Sequence, residues 1–459
     1  MTWTFADIWE ANTSAVPDKA ALIHGQRTVS WSEMNRRANG VATSLLEAGV
    51  SGQDKVAQYL YNCPEYMESI FAVFKSGLVP VNTNYRYTSD ELVYLWDNSD
   101  AVAVVFHGTF VPTIEDIRDQ VPRVTTWIWV DDGSEPCPEW AIPYESSAAR
   151  GTDDNVSGPW GRHADDLYML YTGGTTGMPK GVMWPQSELI KLQRTVDRRF
   201  PHDANYEYIT TKALRTKDVF VPCCPLMHGT GAFGAFQALH AGGTVVTLDA
   251  RSFDAAELFD AVDRNGVTRL AIVGDAFAKP MLRALEGETD RWSLETMFAI
   301  VSSGVMFSQE SKQALLEHMP KAMVVDSFGS SEAIGMGSSV SSKDQSAGTA
   351  KFDLGDKAIV VDDDGNRVSA GSGIMGRVAV KGILPIGYYK DPEKSAKTFI
   401  TIEGERYSTP GDYAYVEANG SLTLLGRGSV CINTGGEKVF VEEVEEALKR
   451  HASIQDAVV

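Results

Sequence analysis

The 459 residues contain no uncharged apolar run long enough to span a bilayer, and residues 1–7 lack the basic segment and apolar stretch of an export signal. A cytoplasmic enzyme is therefore expected. Cysteine is scarce: Cys63, Cys137, Cys223, Cys224 and Cys431 are odd in number and have no zinc-ligand spacing, which excludes a disulfide framework or a metal cage. The thiols are expected to be reduced, and the vicinal pair Cys223 and Cys224, placed after the apolar residues 219–222, reads as small buried packing rather than a redox switch. Positive charge is also short. With 41 basic against 61 acidic residues the net charge is −20, so nonspecific binding to nucleic acid or to an anionic membrane is excluded and anionic ligands must be caught locally. There are no repeats and no low-complexity segments.

What is present suits a large globular core: 43% apolar and 22% charged residues over a length sufficient for about three domain-sized units. Short β-rich runs at residues 101–106, 244–248, 269–273 and 297–301 alternate with helical patterns, as at 253–265 and 308–318, which predicts α/β layers. After about Lys357 the pattern changes to a series of short strands with a turn at residues 362–366, so a β subdomain is expected there, and a further boundary near Gly426.

Residues 171–181, Tyr-Thr-Gly-Gly-Thr-Thr-Gly-Met-Pro-Lys-Gly, follow an apolar run and have the composition of an anion cradle. Gly173, Gly174 and Gly177 let backbone N–H groups converge, Thr172, Thr175 and Thr176 add hydroxyls, and Lys180 adds charge. A plain hydrophilic turn of that composition would be costly to order without a ligand. It is not a Walker A loop, because Lys180 follows Pro179 and leads into the apolar residues 182–184, which predicts strand, loop, strand.

The loop resembles the phosphate loop of the adenylate-forming superfamily, which includes AMP-producing acyl-CoA synthetases, and further segments carry the resemblance in family order along essentially the whole chain. These are residues 225–229 (Pro-Leu-Met-His-Gly), 302–305 (Ser-Ser-Gly-Val), 326–332 (Asp-Ser-Phe-Gly-Ser-Ser-Glu), 407–412 (Tyr-Ser-Thr-Pro-Gly-Asp), 426–429 (Gly-Arg-Gly-Ser) and 433–440 (Asn-Thr-Gly-Gly-Glu-Lys-Val-Phe). The resemblance implies a large α/β amino-terminal domain over residues 1–426 with its β-rich part from about 357, then over 427–459 a hinge and the start of a small, mobile α+β carboxy-terminal domain. It implies ATP, Mg²⁺, CoA and a small carboxylic acid as ligands, and dimers are common among such relatives.

Site roles follow from the same resemblance. Thr176, Lys180, His228 and Glu332 would be catalytic, with Glu332 and Thr176 at the metal. Nucleotide would lie against Thr172, Gly173, Gly174, Thr175, Gly304, Asp326, Ser327, Phe328, Gly329, Ser331, Asp412 and Arg427. A carboxylate such as Asp412 can hold a ribose diol by two charge-assisted bonds, and Phe328, where relatives often carry Tyr, keeps a face to stack on adenine. Trp184, His228, Gly229, Ala232, Phe233, Gly304, Val305 and Met306 would line the acyl pocket; they are mostly apolar or small and favour a hydrophobic acid. Ser429 would be the hinge, where relatives carry Asp or Lys, and Gly435, Gly436 and Glu437 would border the CoA tunnel. The wording of residues 172–184 and 426–439 is most similar to bacterial fatty-acyl and sterol-side-chain CoA ligases. The family's adenylation lysine is expected beyond Val459, so no lysine here takes that role and slow adenylation by this chain alone is expected.

Two other readings compete. Residues 229–234 satisfy GxGxxG, and Asp249 stands about twenty residues on, as in a dinucleotide-binding fold. Residues 225–228 separate the preceding strand from the first glycine, which counts against an oxidoreductase. A nucleotide-binding relative without turnover would keep the same nucleotide motifs.

Overall fold

A computed structural model describes residues 3–173, 177–196, 205–288, 291–345, 347–428, 431–433, 438–441, 444, 445, 448 and 454. Expected elements form with small shifts that local chemistry explains. The helix read at 253–265 is Ala255–Asn265, because Asp254 accepts from the N–H groups of Ala256 and Glu257 as its cap, and Gly266 ends it at φ +60°. The one read at 308–318 is Gln309–His318, capped by the Ser308 hydroxyl.

Two large sheets organise the described residues, with a separate two-stranded pairing of Cys431–Asn433 and Lys438–Phe440. In the smaller, the strands Ile142–Pro143, Thr126–Val130, Ala101–His107, Lys55–Tyr59, Val79–Asn82 and Leu167–Thr172 are parallel neighbours in that order, and Lys180–Pro185 pairs antiparallel at one edge. The larger has a parallel centre of Thr244–Thr247, Val219–Pro222, Arg269–Ile272, Ala299–Ser302 and Met323–Ser330. Met323–Ser330 then turns back antiparallel on Ala333–Ser341, and pairing continues through Lys351–Asp353 and Ser421–Arg427 into the β-rich region after residue 357. The sheet therefore runs unbroken into that region.

Helices Phe5–Ala15, Trp31–Glu47, Pro64–Lys75 and Gly229–His240 fill the space between the sheets and share one core with residues of both. Helices Ser89–Asn98 and Val111–Ile117 cover the outer face of the smaller sheet, and Ala255–Asn265, Gly274–Gly287 and Gln309–His318 that of the larger. With both faces covered, the central strands are continuously apolar rather than alternating; Thr244–Thr247 is buried at every position. Such sheets leave their carboxyl ends open as a crevice, and there the sequence motifs gather. No helix among the described residues is long and apolar enough to cross a membrane.

Candidate active site

Two cavities meet beyond the carboxyl ends of the central strands. One, of about 520 Å³, runs between the helix Gly229–His240 and the sheet and is walled chiefly by apolar groups such as Leu189, Leu192, Phe233, Val273 and Ile334, with His228 and Thr172 on its lining. The other, of about 350 Å³, holds Asp326 and Asp412 together with Val305, Met306 and Phe352. Gly304, Ser327, Phe328, Gly329 and Arg427 line both. Gly304 has φ +107°, a conformation open to glycine and strained for other residues, so the junction depends on it. A separate cavity of about 520 Å³ beside Phe5–Ala15 holds no motif residue.

The loop after Leu167–Thr172 returns as Lys180–Pro185, with Thr172 paired opposite Lys180, so strand, loop, strand is the local structure. Asn82 anchors its start. Its amide nitrogen donates to the carbonyls of Tyr171 (2.9 Å) and Met227 (2.7 Å), and its oxygen accepts from the Tyr171 N–H (2.5 Å). Asn62 holds the approach to His228 in the same manner, donating to the Pro222 and Cys224 carbonyls and accepting from the Leu226 N–H at 2.7 Å. One asparagine thus ties the phosphate-type loop to the His228 segment. Asn82→Ala leaves buried backbone groups unsatisfied and is expected to destabilise the fold by about 3 kcal/mol, read from urea unfolding, with weaker nucleotide binding.

The antiparallel strands Met323–Ser330 and Ala333–Ser341 are joined by a tight turn carrying Ser331 and Glu332. Trp184 Nε1 donates to the Ser331 carbonyl at 2.9 Å, and Tyr388 Oη donates to Glu332 Oε1 at 2.7 Å. Lys180 Nζ lies 5.7 Å from the centroid of the same Tyr388 ring. Tyr388 itself is set by backbone pairing of Lys180–Pro185 with residues 386–389. Burial and the Glu332 carboxylate push the Tyr388 phenol up, so it stays protonated and donates.

Asp412 and Arg427 face each other across antiparallel strands, with Arg427 Nε donating to Asp412 Oδ1 at 3.3 Å. Behind the second cavity, Asp326 Oδ2 lies 2.7 Å from Nζ of Lys312, a fully buried lysine on Gln309–His318. Burial pushes the Asp326 carboxyl up, Lys312 opposes this, and Asp275 adds to it.

Of the pocket residues expected from sequence, His228, Gly229, Phe233 and Gly304 line the first cavity, while Trp184 and Ala232 are buried in the core between the sheets. Val305 and Met306 line the other cavity. Gly174, Thr175, Thr176, Ser429, Gly435, Gly436 and Glu437 lie outside the described residues. Asn62, Asn82, Lys312 and Tyr388 were not singled out by sequence reasoning. For Lys312 a signal existed: it shares a helix face with Leu315 and Leu316, placing a charge on an apolar stripe.

His228 lines the cavity while remaining exposed, and partial desolvation there together with the nearby Arg86 lowers its imidazole from the ordinary value. His228 is therefore neutral at pH 7. On acidification the unfolded chain takes up this proton first, so the stability tied to neutral His228 is lost as pH falls through the ordinary value of about 6.5. Acid-dependent turnover is expected to hold its plateau below that value, and a pH profile of His228→Ala is expected to lack the corresponding acid limb. Cys224, also on the first cavity, has its thiol pushed up to about 12 by burial and is unreactive there.

The GxGxxG stretch does lie in a strand–helix–strand unit, Val219–Pro222, Gly229–His240 and Thr244–Thr247. Residues 223–228 nevertheless part strand from helix, and Asp249 contacts His24 Nε2 at 3.2 Å.

Residues 9–389 match the family described as AMP-binding enzyme. All of the chain aligns at 38% identity with a medium/long-chain fatty acid–CoA and 3-oxocholest-4-en-26-oate–CoA ligase of Mycolicibacterium smegmatis, of which it spans 84%. It aligns equally completely, at 39% identity, with a 3-oxocholest-4-en-26-oate–CoA ligase of Rhodococcus rhodochrous, again over 84% of that protein. Its fold is shared with an anthranilate CoA ligase in complex with anthranoyl-AMP (TM-score 0.82, 22% identity, 99% of this chain and 84% of that one). It is shared too with ATP-bound MatB of Rhodopseudomonas palustris (TM-score 0.78, 22% identity, 98% and 85%).

Proposed function

The chain belongs to the AMP-binding enzyme family, and from that premise we propose that it activates a hydrophobic carboxylic acid with ATP and passes the acyl group to CoA. The observation that carries this reading is the junction of the two cavities. An apolar chamber ends at His228 and Gly304 beside a second one that carries the carboxylates of Asp326 and Asp412 and the guanidinium of Arg427 among apolar walls, so acid and nucleotide can meet at one point. The relatives' named acids, medium- or long-chain fatty acids and a steroid side-chain acid, are the substrate classes that suit the apolar walls.

A carboxylate oxygen attacks the α-phosphorus of ATP, the bond to the pyrophosphate oxygen breaks, and acyl-adenylate forms. The thiol of CoA then attacks the acyl carbon, its proton goes to solvent, and AMP leaves with the bonding pair. Most of the first step is positioning and charge neutralisation. Lys180 supplies positive charge at the loop, Asp412 holds the ribose, and Phe328 and the backbone at Gly329 border the base. Among the described residues no three His, Cys, Asp or Glu side chains cluster to cage a metal. A single carboxylate such as Glu332 would suit Mg²⁺, which takes one or two carboxylates plus phosphate oxygens, and the sequence offers Thr176 as a further oxygen ligand. When bound, Mg²⁺ lowers the charge on the phosphates. For the second step the sequence assigns Ser429 as the pivot and Gly435, Gly436 and Glu437 as the border of the CoA path, residues that lie outside the described ones.

The test is pyrophosphate release from ATP and Mg²⁺ over a panel of carboxylic acids. Release is expected with long-chain or steroid acids and not with acetate or benzoate, followed by thioester only when CoA is added. Nucleotide binding without release for any acid would favour a non-catalytic binding protein.

A further inference from the structure

The acyl cavity has chiefly apolar walls, and polar groups stand both where it meets the other cavity and at its far end. Arg269 and Ala271, on the strand Arg269–Ile272, and Val273 just past its end line it at alternate positions, a span of about 13 Å. Gly229, Phe233 and Gln237 line it from the facing helix over about 12 Å of rise. Both spans begin beside the nucleotide-side cavity, at His228 and Val273, and end at Gln237 and Arg269 at the amino-terminal edge of the strands. Gly234 permits the narrow approach at that end, since a Cβ there would lie 2.3 Å from the Phe220 ring.

Arg269 is held in place by three of its five N–H groups. Its Nε and Nη2 each lie 2.7 Å from an oxygen of Asp218, its Nη1 donates to Gln237 Oε1 at 2.9 Å, and its guanidinium sits 5.0 Å from the Phe220 centroid. Because a guanidinium only donates, Gln237 must present its oxygen to Arg269, and this fixes the orientation of the amide. The amide nitrogen is left as a donor on the cavity lining. Asp218 balances the charge of Arg269, so the end wall suits a neutral acceptor better than a second carboxylate.

We propose that Gln237 is a specificity-determining residue whose amide nitrogen donates to a neutral oxygen, such as a ketone, at the end of the acid distal to its carboxylate. This rests on the acid-activating reading and deepens it: the preferred substrate is a hydrophobic acid oxygenated at its far end.

The experiment compares two matched pairs, a steroid side-chain acid with and without its ring ketone, and a saturated fatty acid with and without a ketone next to its terminal methyl. Wild type, Gln237→Met and Gln237→Glu are each assayed by pyrophosphate release and by acid-induced Tm shift with AMP present. Gln237→Glu keeps an acceptor for Arg269 while removing the donor, so it guards against a folding effect. At least one ketone acid is expected to have a KM about tenfold below that of its partner in wild type. The difference is expected to vanish in both variants with the KM for ATP unchanged, since the contact is equally present in ground and transition states. Equal values in wild type for both pairs, or a preference surviving in both variants, overturns the proposal. If no acid releases pyrophosphate, the acid-activating reading fails instead, and the Tm shifts still decide whether Gln237 reads the distal oxygen.

Discussion

Glu332→Gln is expected to lower acid-dependent pyrophosphate release by about 10²–10³-fold while leaving Tm nearly unchanged. The Glu332 carboxylate accepts from Tyr388 Oη at 2.7 Å, in a turn that Trp184 also pins through the Ser331 carbonyl. Glutamine has the same length, and its amide oxygen can accept the same phenolic hydrogen, so the turn keeps its geometry and the charge alone is lost. Under the proposed reaction that charge binds Mg²⁺ against the phosphates, so the variant is expected to need more Mg²⁺ for half-maximal rate while its KM for the acid stays put. Tyr388→Phe is expected to cost only about tenfold, one hydrogen bond's worth, because the carboxylate remains. A Glu332→Gln enzyme with near-normal kcat would remove Glu332 from the reaction and leave it as a turn anchor.

The parts of this site legible in the sequence are those whose chemistry is written in adjacent letters. Residues 171–181, 326–332 and 407–412 each carry glycine, hydroxyl or acidic groups in one short stretch, and the central sheet delivers two of them to the same edge. The anchors are different. Asn82 reaches Tyr171 and Met227, Asn62 reaches Cys224, and Tyr388 reaches Glu332, all through pairing of strands distant in the chain. A lone Asn at a strand end carries no local mark of such a partner. Trp184 and Ala232 pose a related difficulty: large or small apolar character suits a pocket and a core equally. Periodicity separates them, because Trp184 shares its strand face with the buried Val182, and Ala232 shares its helix face with Ala235, Phe236 and Leu239.

The second large effect is expected at Lys312. Its ammonium is fully buried 2.7 Å from Asp326, so Lys312→Met strands a carboxylate inside the protein, and loss of about 3–5 kcal/mol of stability is expected. The pH dependence identifies the cause. Asp326 is already pushed up by burial and by Asp275, and without Lys312 its folded value rises further above the unfolded one. The native variant then binds a proton that the unfolded chain does not, so its stability falls as pH rises from the ordinary aspartate range through the folded value, and recovers on acidification. Urea unfolding at several pH values is expected to show the gap from wild type narrowing toward acid pH. Lys312→Met with Asp326→Asn is expected to regain much of the loss at neutral pH, because no charge is left buried. Yet the double variant is expected to bind ATP more weakly than wild type, since Asp326 lines the nucleotide-side cavity and an amide there offers one acceptor where the carboxylate offers two. A gap that stays constant with pH would assign the loss to packing of the lysine stem instead of to the stranded charge.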